Sequence, residues 1–179
     1  TWGRSLVQGT DVDSYGSETW KEWDHFVIGD PVTALPTSGN YLYSWRGGTS
    51  PTDSNLAVGT LTSGGSINVI FGAGSIDMRT VTPITWTMGP GSANPGNYVV
   101  AFDSTTQQQQ VPATYLPSGV SASYFNGFQA LPSPQSSCPG SCVTYIKPQF
   151  MGASAQALGL GIYTVNGTNY IASAQAYRR

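Results

Sequence analysis

Ionisable side chains are scarce in this sequence. Charged residues make up 9% of the 179, and there is one histidine, His25; an average soluble domain carries roughly a quarter charged residues. An enzyme needs placed acids, bases or metals, and all nine carboxylates here lie at or before Asp103, six of them within the first 30 residues. No catalytic residue, metal or cofactor is therefore expected. Basic clusters are missing too. The seven Lys and Arg are scattered singly apart from Arg178–Arg179, and the net charge is −2, whereas neutralising several phosphates needs grouped cations. Nucleic acid is excluded as a partner on that ground. Long apolar runs are absent as well. None approaches the roughly 20 residues of a membrane-spanning helix, so a membrane-spanning chain is not expected. The opening Thr1-Trp2-Gly3 has no Met and no signal peptide, which reads as a mature or excised piece of a longer exported protein.

Cysteine is limited to Cys138 and Cys142. Tetrahedral zinc wants four ligands, and His25 is remote in sequence. A small disulfide-closed loop is the favoured reading, because Pro139-Gly140 bends the chain between the two thiols. Two free buried thiols are the alternative. A disulfide would imply an oxidising compartment.

What the sequence has in quantity is Gly (22), Pro (12), and polar uncharged residues between apolar ones. With 39% hydrophobic residues the chain is expected to fold, as a single domain over residues 1–179. The apolar period is two. Tyr41, Tyr43 and Trp45 form one face of a run; Ile67, Val69 and Phe71 form one in the next, followed by Ile76 and Met78. Tyr98, Val100 and Phe102 repeat the pattern, as do Val120, Ala122 and Tyr124, and then Tyr170, Ala172 and Ala174. Each reads as a half-buried strand with the named residues inward. Turn signals separate them: Gly72-Ala73-Gly74, and above all Asn166-Gly167, which suits a type I′ hairpin turn. Only residues 153–158 read as a short helical turn. Gln107 to Gln110 reads as a loop or exposed strand. The fold expected is all-β: an eight-stranded antiparallel barrel, or barrel-like sandwich.

The one place where aromatics and ionisable groups converge is Glu18-Thr19-Trp20-Lys21-Glu22-Trp23-Asp24-His25. On a strand, Glu18, Trp20, Glu22 and Asp24 share one face, and Lys21, Trp23 and His25 the other. Paired carboxylates beside Trp platforms occur in sugar-cleaving sites. Ligand contacts and an ordinary solvated strand are the two milder readings. Glu18, Trp20, Glu22, Trp23 and Asp24 are the ligand-contact candidates. Loops 31–39, 47–55, 89–96 and 130–142 are the other recognition candidates, since loops on a rigid scaffold commonly bind. No Gly-x-Ser-x-Gly elbow occurs, and Asp11-Val12-Asp13 lacks the rest of a calcium loop.

Two stretches resemble a known family. Residues 66–75, Ser-Ile-Asn-Val-Ile-Phe-Gly-Ala-Gly-Ser, are similar to the "strand, Asp-Phe-Gly, turn, strand" hairpin of transferrin-binding-protein-like β-barrels, with Ile70 where that pattern usually has Asp. Residues 150–159, Phe-Met-Gly-Ala-Ser-Ala-Gln-Ala-Leu-Gly, are similar to its "Phe-x-Gly-x-x-Ala-x-x-Leu-Gly" signature, in which the next strand begins at the second Gly. Trp2-Gly3-Arg4, residues 35–39 and residues 48–53 resemble the barrel at the C-terminal end of exported FecR-domain-type bacterial proteins. Together these cover most of residues 1–179, with gaps at 84–97 and 132–142; the Cys138–Cys142 insertion departs from both groups.

The resemblance implies an eight-stranded barrel in the periplasm, on the outer-membrane surface or outside a Gram-negative-type cell. It implies a non-catalytic binding, display or support role, with a protein partner or a neighbouring domain of the same chain. No ligand residue carries over, because ligand contacts in that family lie in variable loops. The alternative is a carbohydrate-active domain, hydrolase or lectin, using Trp20/Trp23 and Glu18/Glu22 on a glycan. A concave pocket at those residues would favour it, and a flat surface would leave only the first reading.

Overall fold

The structure, a computed structural model, describes residues 1–13, 16–72, 75–103, 111–112, 128–130, 138–140 and 142–179. Every strand pairing in it is antiparallel, and the described residues contain no helix. β1 (Trp2–Asp13) and β2 (Gly16–Val27) form a hairpin by themselves. Strands β3 (Gly39–Gly48), β6 (Ser66–Phe71) and β7 (Ser75–Thr82) belong to the main sheet, with β12 (Cys142–Met151), β13 (Ala157–Asn166) and β14 (Asn169–Arg178). The short β10 (Val111–Pro112) and β11 (Phe128–Ala130) complete its order, β10-β7-β6-β3-β14-β13-β12-β11, and β4 (Thr52–Asp53) also pairs with β14. A smaller sheet runs β5 (Thr60–Ser63), β8 (Ile84–Met88) and β9 (Gly96–Val100), in that order.

The eight strands of the main path curl into a half-barrel. Among the described residues β10 and β11 do not pair, so the path is open there, and the small sheet packs its side chains against those of the main sheet. The architecture is the barrel-like sandwich, all-β as expected. Its core is one cluster: Ile67, Val69, Phe71, Phe150, Leu158 and Leu160 from the main sheet meet Ile84, Trp86, Met88 and Tyr98 from the small one. Period-two patterning produces this directly, because alternate side chains leave opposite faces of a strand.

Three tyrosines reach out of that core to loop carbonyls. The Tyr43 hydroxyl donates to Ala155 O at 2.5 Å, Tyr177 to Gly64 O at 2.6 Å, and Tyr98 to Asn94 O at 2.8 Å. Burial raises the phenol of Tyr43 to about 12 and raises that of Tyr177 further, so both stay O–H donors.

Several expectations need correcting. Residues 153–158 make a single turn, closed by Ala155 N–H donating to Gly152 O at 3.0 Å, and no helix. Gly152 and Ala155 both take positive φ, 79° and 57°, which a helix does not allow; β13 then starts at Ala157, before Gly159. At the Asn166 hairpin, Asn166 pairs with Asn169, so Gly167 and Thr168 are the central residues. Only Gly167 has positive φ, 64°, the pattern of a type II′ turn, which places Gly first. Asn166 instead donates from Nδ2 to Pro139 O at 2.5 Å. Between β6 and β7 the chain reverses as expected; Gly72 does not take positive φ, and Gly74 lies outside the described residues.

Facing is reversed in β14. Ile171, Ser173, Gln175 and Tyr177 point inward, each at most 2% exposed, so Tyr170, Ala172 and Ala174 lie on the outer face. Trp45 is not in the core either, and is 39% exposed. The β14–β3 register shifts between Ala176 and Tyr177, opposite Gly47 and Trp45, and such a bulge re-aims the following side chains. Trp45 Nε1 donates to Gln175 Oε1 at 3.1 Å.

Cys138 and Cys142 form the expected disulfide, with Cα atoms 6.4 Å apart, which fits a protein of an oxidising compartment. No helix among the described residues is long and apolar enough to cross a membrane. The Val120, Ala122 and Tyr124 strand, the Gln107–Gln110 tract and most of the 130–142 loop lie outside the described residues.

Candidate functional site

The β1–β2 hairpin does not join the main sheet edge to edge. It lies across the outer face of β13 and β14. Its open end is tied by Ile28 N–H donating to Thr1 O at 2.8 Å and by the Thr1 ammonium donating to Ile28 O at 2.9 Å. Trp23, His25 and Val27 form the face of β2 turned to the sheet, each half-buried, while Glu22 and Asp24 are exposed. Val27 seats on β13 where Gly159 has no side chain: a Cβ there would stand 3.1 Å from Val27 Cβ.

His25 is the latch. Its Nδ1 lies 2.6 Å from Thr49 Oγ1, and its Nε2 lies 2.6 Å from Thr52 Oγ1. Thr49 is itself fixed to β14, since its hydroxyl oxygen accepts from Ala174 N–H at 2.8 Å. A neutral imidazole has one donor and one acceptor nitrogen, and both are engaged. Burial lowers the His25 pKa to about 4, with the Arg4 guanidinium helping and the Asp24 carboxylate opposing. The ring is therefore neutral at pH 7, and with both nitrogens occupied it is poorly placed to act as a general base.

This predicts a pH dependence with a definite sign. The folded pKa lies below the ordinary 6.5, so the unfolded chain takes up the proton first. Stability is fully present above pH 6.5 and falls as the pH drops toward 4. Melting temperature is expected to decline from pH 7 to pH 5 in the parent protein, and less steeply in His25→Gln. Parallel declines would show that His25 is not the group responsible.

Between the hairpin and the sheet lies a groove of about 620 Å³. Glu22, Trp23, Asp24 and His25 form its β2 wall; Tyr145 and Lys147 come from β12, Gly161 and Tyr163 from β13, and Tyr170 and Ala172 from β14. Strand register explains the grouping. Tyr145 stands opposite Tyr163, and Lys147 opposite Gly161; Tyr170 is diagonal to Tyr163, because its own partner is Val165. The rings form a ladder, Tyr145 to Tyr163 at 6.5 Å and Tyr163 to Tyr170 at 5.1 Å between centroids, the latter pair stacked. Burial raises the phenol pKa values of Tyr163 and Tyr170, and the Glu22 carboxylate raises both further, so they remain neutral hydroxyls. Trp23 carries Arg4 over its ring at 4.9 Å, and its indole N–H has no partner among the described residues.

Of the residues singled out in the sequence, Glu22, Trp23 and Asp24 line the groove. Glu18 and Trp20 pair through β2 with Asp11 and Gly9; their side chains lie outside the described ones. The sequence does not single out the groove's other half. Tyr145 and Lys147 alternate with the buried Ile146 and Phe150, and Tyr163 with Ile162 and Thr164, so outward placement was available from period two. What was missing was any sign that a hairpin from the other end of the chain lies over that face. No protein-family model matches this chain, and no curated protein matches it either.

Proposed function

We propose that this domain is a non-catalytic binding module of an exported bacterial protein, and that the groove between β2 and the outer face of β12–β14 is its ligand seat. The observation that carries this is the convergence of Trp23, Tyr145, Tyr163 and Tyr170 with Glu22, Asp24 and Lys147 around one concavity. Binding sites are concave, lined by aromatic and apolar groups, and furnished with a few polar ones. The pairing is also long-range in sequence, so the sheet and the hairpin must both be folded for the groove to exist. The disulfide supports the exported setting, and the two family-like stretches support a bacterial surface or periplasmic one, with a protein partner or a neighbouring domain as further company.

Glu22 and Asp24 on one wall favour a second reading, a glycan hydrolase. Incubation of the domain with oligosaccharides, followed by assay of new reducing ends, separates the two. No cleavage is expected. Cleavage that Glu22→Gln abolishes would replace the binding reading with the catalytic one.

A further inference from the structure

We propose that the groove takes an uncharged oligosaccharide, lying across strands β12–β14 with a sugar ring in the slot above Gly161. This rests on the reading of the groove as a ligand seat and names its occupant.

The floor argues first. β12 and β13 pair without interruption from Cys142–Asn166 to Met151–Ala157, and β13 and β14 from Asn166–Asn169 to Ala157–Arg178. Their backbone groups face one another, so the floor between these three strands offers no open edge onto which a peptide could add as a strand. Recognition on the floor falls to side chains.

Those side chains then restrict the chemistry. The carboxylates of Glu22 and Asp24 accept hydrogen bonds, the Lys147 ammonium donates them, and the tyrosine hydroxyls do both. A ligand carrying charge of one sign would meet a like charge as well as an opposite one. A sugar hydroxyl both donates and accepts, so neighbouring hydroxyls can bridge an acid and a base within one groove. The rings supply the rest, since the C–H faces of a pyranose bury well against aromatic surface.

Gly161 provides the slot. It lies in register with Lys147 and one strand from Ala174, and an added Cβ would meet nothing nearer than Lys147 Cβ at 3.6 Å. A Cβ is thus accepted there in ordinary contact, on the same face as Tyr163, and a β-branched residue extends from it into the slot.

The test titrates the full chain with short neutral oligosaccharides of β-1,4-glucose, β-1,4-xylose, β-1,4-N-acetylglucosamine and α-1,4-glucose by calorimetry, with a proline-rich peptide in parallel. At least one sugar should bind, and Gly161→Val and Tyr163→Ala should each weaken it by about tenfold or more while the melting temperature stays near that of the parent. If Gly161→Val does not fold, Tyr163→Ala and Tyr163→Phe carry the test, with the smaller loss in the latter. Absence of sugar binding, or binding that survives these changes, overturns the proposal. Should the peptide bind instead, and lose affinity in the same variants, the groove stands as a ligand seat and the sugar is wrong. If no probe binds in a way these variants alter, both readings fail.

Discussion

Asp53→Ala is expected to destabilise the domain by about 3–5 kcal/mol, read as a lower midpoint in denaturant unfolding. Asp53 is 3% exposed, and its carboxylate accepts three backbone N–H groups. Oδ1 takes those of Asn55 and Ala57 at 3.0 and 2.9 Å, and Oδ2 takes that of Ala93 at 2.8 Å. One side chain thereby fixes its own loop and the loop before β9. Alanine leaves three donors without an acceptor in a buried place, each costing about 1–3 kcal/mol before relaxation or entry of water reduces the total. Asp53→Asn keeps the shape and both loops' neighbours but weakens the acceptors, so a smaller loss is expected. The consequence reaches the groove. Asp53 follows Thr52, which holds His25, and the pair forms β4 on β14, so loosening this corner should also free the hairpin. An Asp53→Ala protein as stable as its parent would mean that these loops are held by something else.

Trp86→Ala should cost a similar amount, about 3–5 kcal/mol. Trp86 is 1% exposed and lies nearly parallel to Tyr98, ring centroids 5.8 Å apart. It is among the largest buried side chains that the small sheet contributes to the common core. Removing it opens a cavity where the two sheets meet, and Tyr98 loses its stacking partner. Its indole N–H is buried without an acceptor among the described residues, so Trp86→Phe removes a polar group that was costly to bury along with part of the ring. The loss for phenylalanine is therefore expected to be well below that for alanine. Equal losses would show that a phenyl ring restores nothing of what the indole supplies.

The parts of this molecule legible in the sequence are those decided locally. Ile67, Val69 and Phe71 alternate with Ser66, Asn68 and Ile70, and all three are in the core, at no more than 2% exposed. Cys138 and Cys142 are close in sequence, with Pro139-Gly140 between them, and they bond. The sequence of β14 points to the wrong face because neither face carries a clear apolar signal. Its inner face includes Gln175, fully buried and bonded to Trp45, while its outer face carries Tyr170 and alanines beneath the hairpin and the Thr49 loop. Burial on both faces erases the alternation that a half-exposed strand shows. Trp45 leaves the core through a register shift that begins on its partner strand, which nothing in residues 41–45 encodes.

The candidate site divides in the same way. Glu22, Trp23 and Asp24 stood out because aromatics and acids adjoin in sequence. Tyr145, Tyr163 and Tyr170 adjoin only across strands, and they meet Trp23 only once the hairpin docks. That docking depends on single contacts such as His25 between Thr49 and Thr52 and Val27 over Gly159. Such contacts carry no periodic signature.

The central claim is that ligands enter the groove and not the loops. Nuclear magnetic resonance of the labelled domain, titrated with the oligosaccharides and the proline-rich peptide, tests it most directly. The account predicts that a bound probe shifts the ring signals of Trp23, Tyr145, Tyr163 and Tyr170 together, and that Gly161→Val removes those shifts. Shifts confined to residues 31–39, 47–55 or 89–96, with the four rings unmoved, would contradict it.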